Sequence, residues 1–71
     1  MESEDYLIKL GERIKQIRLE KSMRQIDLAD KVGIEDSALR RIEKGKVNSS
    51  IQMLRKIAKG LDIDVRELIN F

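Results

Sequence analysis

The segment from Gln25 to Gly45 constrains the fold more than any other. It carries Leu28, Ala29, Val32 and Ile34, then Leu39 and Ile42, at helical spacings, with Gly33 between the two runs. Residues three and four apart share a helix face, so the pattern predicts two short helices broken at the glycine. Two helices can cross steeply after so short a turn only if the contact residue is small and the turn accepts a positive φ. Ala29 and Gly33 meet those two demands.

On the second of these helices Leu39 and Ile42 point inward, which leaves Asp36, Ser37, Arg40, Arg41 and Lys44 on the other face. An apolar inner face beneath a polar outer one describes a helix-turn-helix, whose second helix enters the major groove of DNA.

A chain of 71 residues is read as one domain, 1–71, with most helices sharing a single apolar centre and no room for a catalytic cleft of ordinary size. It has no cysteine and no histidine, so disulfides, thiolate zinc sites and the commonest general base are all missing. An enzyme is not expected, nor a metal or other cofactor. No apolar run approaches the roughly 20 residues of a membrane span. The start Met1-Glu2-Ser3-Glu4-Asp5 is unlike the basic opening of a secretory signal. The expectation is a soluble, cytoplasmic protein.

Net charge is only +2, but it is unevenly distributed. Between Arg40 and Lys59 stand Arg40, Arg41, Lys44, Lys46, Arg55, Lys56 and Lys59 against the single acid Glu43, whereas Glu2, Glu4 and Asp5 at one end and Asp62, Asp64 and Glu67 at the other are acidic. Such clustering is expected where phosphates are met, although a solvated helix face is the ordinary alternative.

Five helices and no strand are predicted. The first runs from about Tyr6 to Lys21, the second from Gln25 to Val32, and the third from Glu35 or Asp36 to a left-handed Gly45. The fourth opens at Asn48-Ser49-Ser50; if Ser49 is the cap, Gln52 lies three residues on and completes a capping box, and Ile51, Leu54, Ile57, Ala58 and Leu61 make its inner stripe. The fifth starts at Asp64, with Glu67 three residues on.

In this order and spacing, Leu10-Gly11-Glu12-Arg13-Ile14, Ile17-Arg18, Gln25, Leu28-Ala29, Gly33-Ile34, Ile42-Glu43-Lys44-Gly45-Lys46, Ile57-Ala58-Lys59-Gly60-Leu61 and Asp64-Val65-Arg66-Glu67-Leu68 resemble the XRE family, the lambdoid phage repressor and Cro type of helix-turn-helix. The resemblance covers nearly the whole chain and implies an all-α, five-helix, lambda-repressor-like fold that binds double-stranded DNA. It implies that Gln25, with the helix N-terminus behind it, holds a DNA phosphate. It also implies that Asp36, Ser37 and Arg41, with Arg40 beside them, face base edges, and that Gly45, Lys46 and Asn48 touch the backbone again. Arg18 and Glu43 match a structural ion pair between the first helix and the end of the recognition helix.

The sequence departs from the family pattern at Glu35 and Asp36, where serine or threonine is common, at Arg24 and Ile26, and at Ser49 in place of a common proline. Acids at the start of the recognition helix suit its dipole and oppose phosphates, so Asp36 or Glu35 is expected either to accept from cytosine N4 or to face a protein. A single reading head covers few base pairs, which predicts a homodimer on half-sites about 34–36 Å apart. Ile63, Val65, Leu68, Ile69 and Phe71 are the expected interface. Two competing readings remain at this point: a protein-interaction module, such as the DNA-binding half of an antitoxin, with a protein partner as main ligand, and a nonspecific nucleic-acid binder. The second lacks stacking platforms, because Tyr6 and Phe71 are the only aromatic residues.

Overall fold

The computed structural model describes residues 3–71, with side chains from Asp5 onward, so Glu2 and the side chain of Glu4 lie outside what is described. Its helices are α1 (Ser3–Glu20), α2 (Gln25–Val32), α3 (Asp36–Glu43), α4 (Ile51–Gly60) and α5 (Val65–Leu68). The first begins three residues ahead of the expected Tyr6.

Each turn has a local cause. α2 ends on Gly33 at φ 84°, where the glycine amide donates to the Ala29 carbonyl at 2.8 Å. Only glycine takes that left-handed geometry without a Cβ penalty, so the turn from α2 toward α3 follows from this residue. Ala29, almost fully buried, lets the two helices approach. The turn after α3 ends as expected on Gly45, at φ 72°.

The start of α4 differs from expectation. Ser50 is the cap, its Oγ accepting from the Met53 amide at 3.0 Å, and Gln52 takes no part. With Ser50 as cap, Ile51 becomes the first helical residue and stands largely exposed, so the inner stripe begins at Leu54. Asp64 and Glu67 form a capping box: Asp64 Oδ1 accepts from the Arg66 amide at 2.9 Å and Glu67 Oε2 from the Asp64 amide at 3.1 Å.

The core gathers Leu10, Ile14 and Ile17 of α1, Leu28 and Ala29 of α2, Leu39 and Ile42 of α3, Leu54, Ile57 and Ala58 of α4, Leu61, and Leu68 of α5. α1 and α2 both pack on α3, while α4 packs on α2 and α5. α1 and α3 approach closely at Gly11. A Cβ on Gly11 would run into the carbonyl oxygens of Glu43 and Ile42, the latter at 2.6 Å. Gly11 thus lets the backbone of α1 sit directly against the end of α3 and fixes how far the outer face of α3 projects.

Candidate nucleic-acid interface

On α3, Leu39, Ile42 and Glu43 are buried while Asp36, Ser37, Ala38, Arg40 and Arg41 are exposed. The helix is therefore clamped by one face and free along the other, the arrangement a groove-reading helix needs. All four residues expected to face bases lie on that free face. Asp36 and Arg40 are 3.7 Å apart, one helical turn from each other and both half exposed. The acid stands N-terminal to the base, the better orientation for such a pair. Asp36 is thereby partly neutralised by its own helix, which lessens the conflict between its charge and phosphates.

The helix N-termini differ in a way that sequence reading missed. α4 and α5 are capped by Ser50 and Asp64, whereas among the described residues no side chain caps the first amides of α2 or α3. The N-cap position of α2 is Arg24, whose guanidinium has only donors and cannot accept from an amide. Asp27 supplies half a box, accepting from the Arg24 amide at 2.8 Å and pairing with the guanidinium at 2.9 Å. The Arg24 hydrogen bond is the main reason the Asp27 carboxyl is held below its ordinary range. The uncapped N-terminus of α2 keeps donors and the positive end of its dipole available to an anion.

Gln25, first residue of α2, is half-buried, and its Nε2 donates to Glu43 Oε1 at 2.9 Å. The expected pair of Arg18 and Glu43 is present and bidentate, Nε to Oε2 at 2.7 Å and Nη2 to Oε1 at 3.1 Å, with side chains only 6% and 3% exposed. Arg18 Nη1 also donates to the Met23 carbonyl at 2.8 Å. In the α3–α4 connection Lys46 and Asn48 are exposed, and Gly45 lies against the backbone of Ile8 in α1, so this loop is anchored to the first helix.

The basic residues stand exposed on two elements, Arg40, Arg41, Lys44 and Lys46 on α3 and its following loop and Arg55, Lys56 and Lys59 on α4, and both helices pack on α2. One expectation needs correction. Leu68, expected at a dimer interface, is fully buried in its own core and offers a partner nothing. Ile63 and Val65 are half-buried against that core, while Ile69 and Phe71 remain exposed at 39% and 47%. Phe71 stacks on Tyr6, ring centroids 5.4 Å apart at a 49° tilt, so its partner within the chain is another half-exposed ring.

A helix-turn-helix family model matches residues 14–68. The chain belongs to that family, in its XRE branch. It is 44% identical over 62 residues to the HTH-type transcriptional regulator SinR of Bacillus licheniformis, a match covering 86% of this chain and 56% of that protein. It is 36% identical to the control protein C.BamHI of Bacillus amyloliquefaciens, covering 86% of this chain and 76% of the relative. The chain thus spans only about half the length of SinR. Among solved structures, the restriction-modification controller protein C.AhdI from Aeromonas hydrophila superposes with a TM-score of 0.85 at 37% identity, covering 87% of this chain and 94% of that one.

Proposed function

We propose that this chain is a transcriptional regulator that binds double-stranded DNA in the cytoplasm as a homodimer, reading an operator-like inverted repeat through α3. The observation that carries the reading is the division of α3: Leu39, Ile42 and Glu43 fix it to the scaffold while Asp36, Ser37, Arg40 and Arg41 stand free together. Arg41 is the best equipped reader, since its fork can bond guanine O6 and N7 at once, and Asp36 can accept from cytosine N4. Gln25 at the uncapped start of α2, and Gly45, Lys46 and Asn48 after α3, hold phosphates on either side and set the register. The names of the relatives, a transcriptional regulator and two controller proteins, support the same reading.

Dimerisation is assigned to the α5 end, where Ile69 and Phe71 are exposed beside Tyr6 and flanked by the half-buried Ile63 and Val65. Apolar surface of this kind at one end of a small domain fits a twofold contact, which would set two α3 helices on successive half-sites.

The experiment is selection of bound duplexes from a random pool at about 0.15 M salt, with protein stoichiometry read from the same complexes. The reading predicts an enriched inverted repeat carrying two protomers. Binding without enrichment, with a steep salt slope, would instead indicate nonspecific attachment.

A further inference from the structure

Glu43 does more than close an ion pair. Its Oε1 is shared between Arg18 Nη2 at 3.1 Å and Gln25 Nε2 at 2.9 Å, and its Oε2 takes Arg18 Nε at 2.7 Å. The three side chains come from the end of α1, the start of α2 and the end of α3. A carboxylate paired with arginine can only accept, so the Gln25 carboxamide must turn its nitrogen inward. That choice sends its carbonyl oxygen away from Glu43 and leaves one N–H for another acceptor. A glutamine without such a partner samples many rotamers, and freezing it opposes binding.

We infer that Arg18 and Glu43 are positioning residues for the phosphate contact of Gln25: the buried ion pair sets the carboxamide before DNA arrives, although neither charge touches DNA. The inference rests on the assignment of Gln25 to a phosphate. Its chemistry is sequence-independent, so it concerns grip rather than base choice.

The test is a double-mutant cycle read with sonicated mixed-sequence duplex DNA at low salt, using fluorescence anisotropy on the full chain. Replacing the pair together, Arg18→Met with Glu43→Met, removes both charges and leaves no unpaired one, a change that buried ion pairs commonly tolerate. Circular dichroism and melting confirm that this background is folded. In the unaltered chain Gln25→Ala should weaken binding about tenfold or more, as for a hydrogen bond to a charged group. In the paired-methionine background the same change should cost less than about threefold, because the carboxamide is no longer held.

If that background does not fold, Glu43→Gln takes its place. It keeps the side-chain shape but can offer either an acceptor or a donor to Gln25, so the cost of Gln25→Ala should shrink there too. A role confined to stability would not move this ratio. Equal losses in both backgrounds overturn the positioning role and leave the phosphate contact standing. No loss from Gln25→Ala in either background overturns both.

Discussion

Glu43→Ala removes the acceptor of three hydrogen bonds and leaves Arg18 as an unpaired cation whose side chain is 6% exposed. One bond remains to it, from Nη1 to the Met23 carbonyl. Breaking a buried pair from one side costs about 3–5 kcal/mol. A domain of this size has a total stability of roughly 4–11 kcal/mol at about 0.05–0.15 kcal/mol per residue, so the loss is a large fraction of what holds the chain folded. At roughly 4–8 °C per kcal/mol for a domain of this size, the melting temperature should fall by at least about 12 °C. The assay is thermal melting followed by circular dichroism at neutral pH, with DNA binding measured well below the new midpoint. Binding should also weaken, because α3 loses its tie to α1 and Gln25 its partner. A midpoint lowered by less than about 4 °C would refute the reasoning, since it would mean that Arg18 rehydrates at little cost and the pair holds nothing together.

Gly11→Ala should destabilise by roughly 1–3 kcal/mol despite the better helix propensity of alanine, because the added Cβ meets the carbonyl oxygens of Ile42 and Glu43 and must push α1 from α3. A urea midpoint at or above that of the unaltered chain contradicts the close approach. Ser49 Oγ is buried without a hydrogen-bond partner among the described residues, so Ser49→Ala should raise stability by about 1 kcal/mol, and a lowered melting temperature counts against this. Asp27 and Asp64 are both held below the ordinary carboxylate range, chiefly by side-chain hydrogen bonds from Arg24 and Arg66. Depressed carboxyls add stability above their unfolded pKa and lose it as pH falls through the folded one, so a modest loss is expected below about pH 4. With no histidine in the chain, urea midpoints should be flat between pH 5 and 7, and a slope there contradicts this account. Replacing Ile69 and Phe71 together by serine should lower the dimer fraction in sedimentation while leaving the fold intact, since neither belongs to the buried core.

The helix-turn-helix was legible because its determinants are local. Ala29 and Gly33 dictate a crossing by size and φ alone, and the periodicity of Leu28, Leu39 and Ile42 marks the buried side. The pairing of Arg18 with Glu43, 25 residues apart, was implied by family resemblance rather than by spacing. Sequence does not choose between Ser49 and Ser50 as the cap of α4, because they are adjacent and chemically equal; what separates them is which hydroxyl faces the Met53 amide. The bond from Gln25 to Glu43 left no trace in the sequence, since it depends on a rotamer chosen by three helices packed together. Sequence groups Leu68 with Ile63, Val65, Ile69 and Phe71 because together they carry more apolar surface than one short helix can bury, whereas α5 lays that one side chain into the common core. The sequence signal for the open end of α2 lay in Arg24, a residue that cannot cap.

The central claim, that the outer face of α3 reads bases, is tested most directly by repeating the duplex selection with Arg41→Ala and with Asp36→Ala. The account predicts that each variant still binds but loses preference at particular base pairs, at symmetric positions in the two half-sites, with about 1–3 kcal/mol of discrimination lost at the pair read by Arg41. If both variants enrich the same sequence as the unaltered chain, with undiminished preference at every position, α3 is not the reading helix.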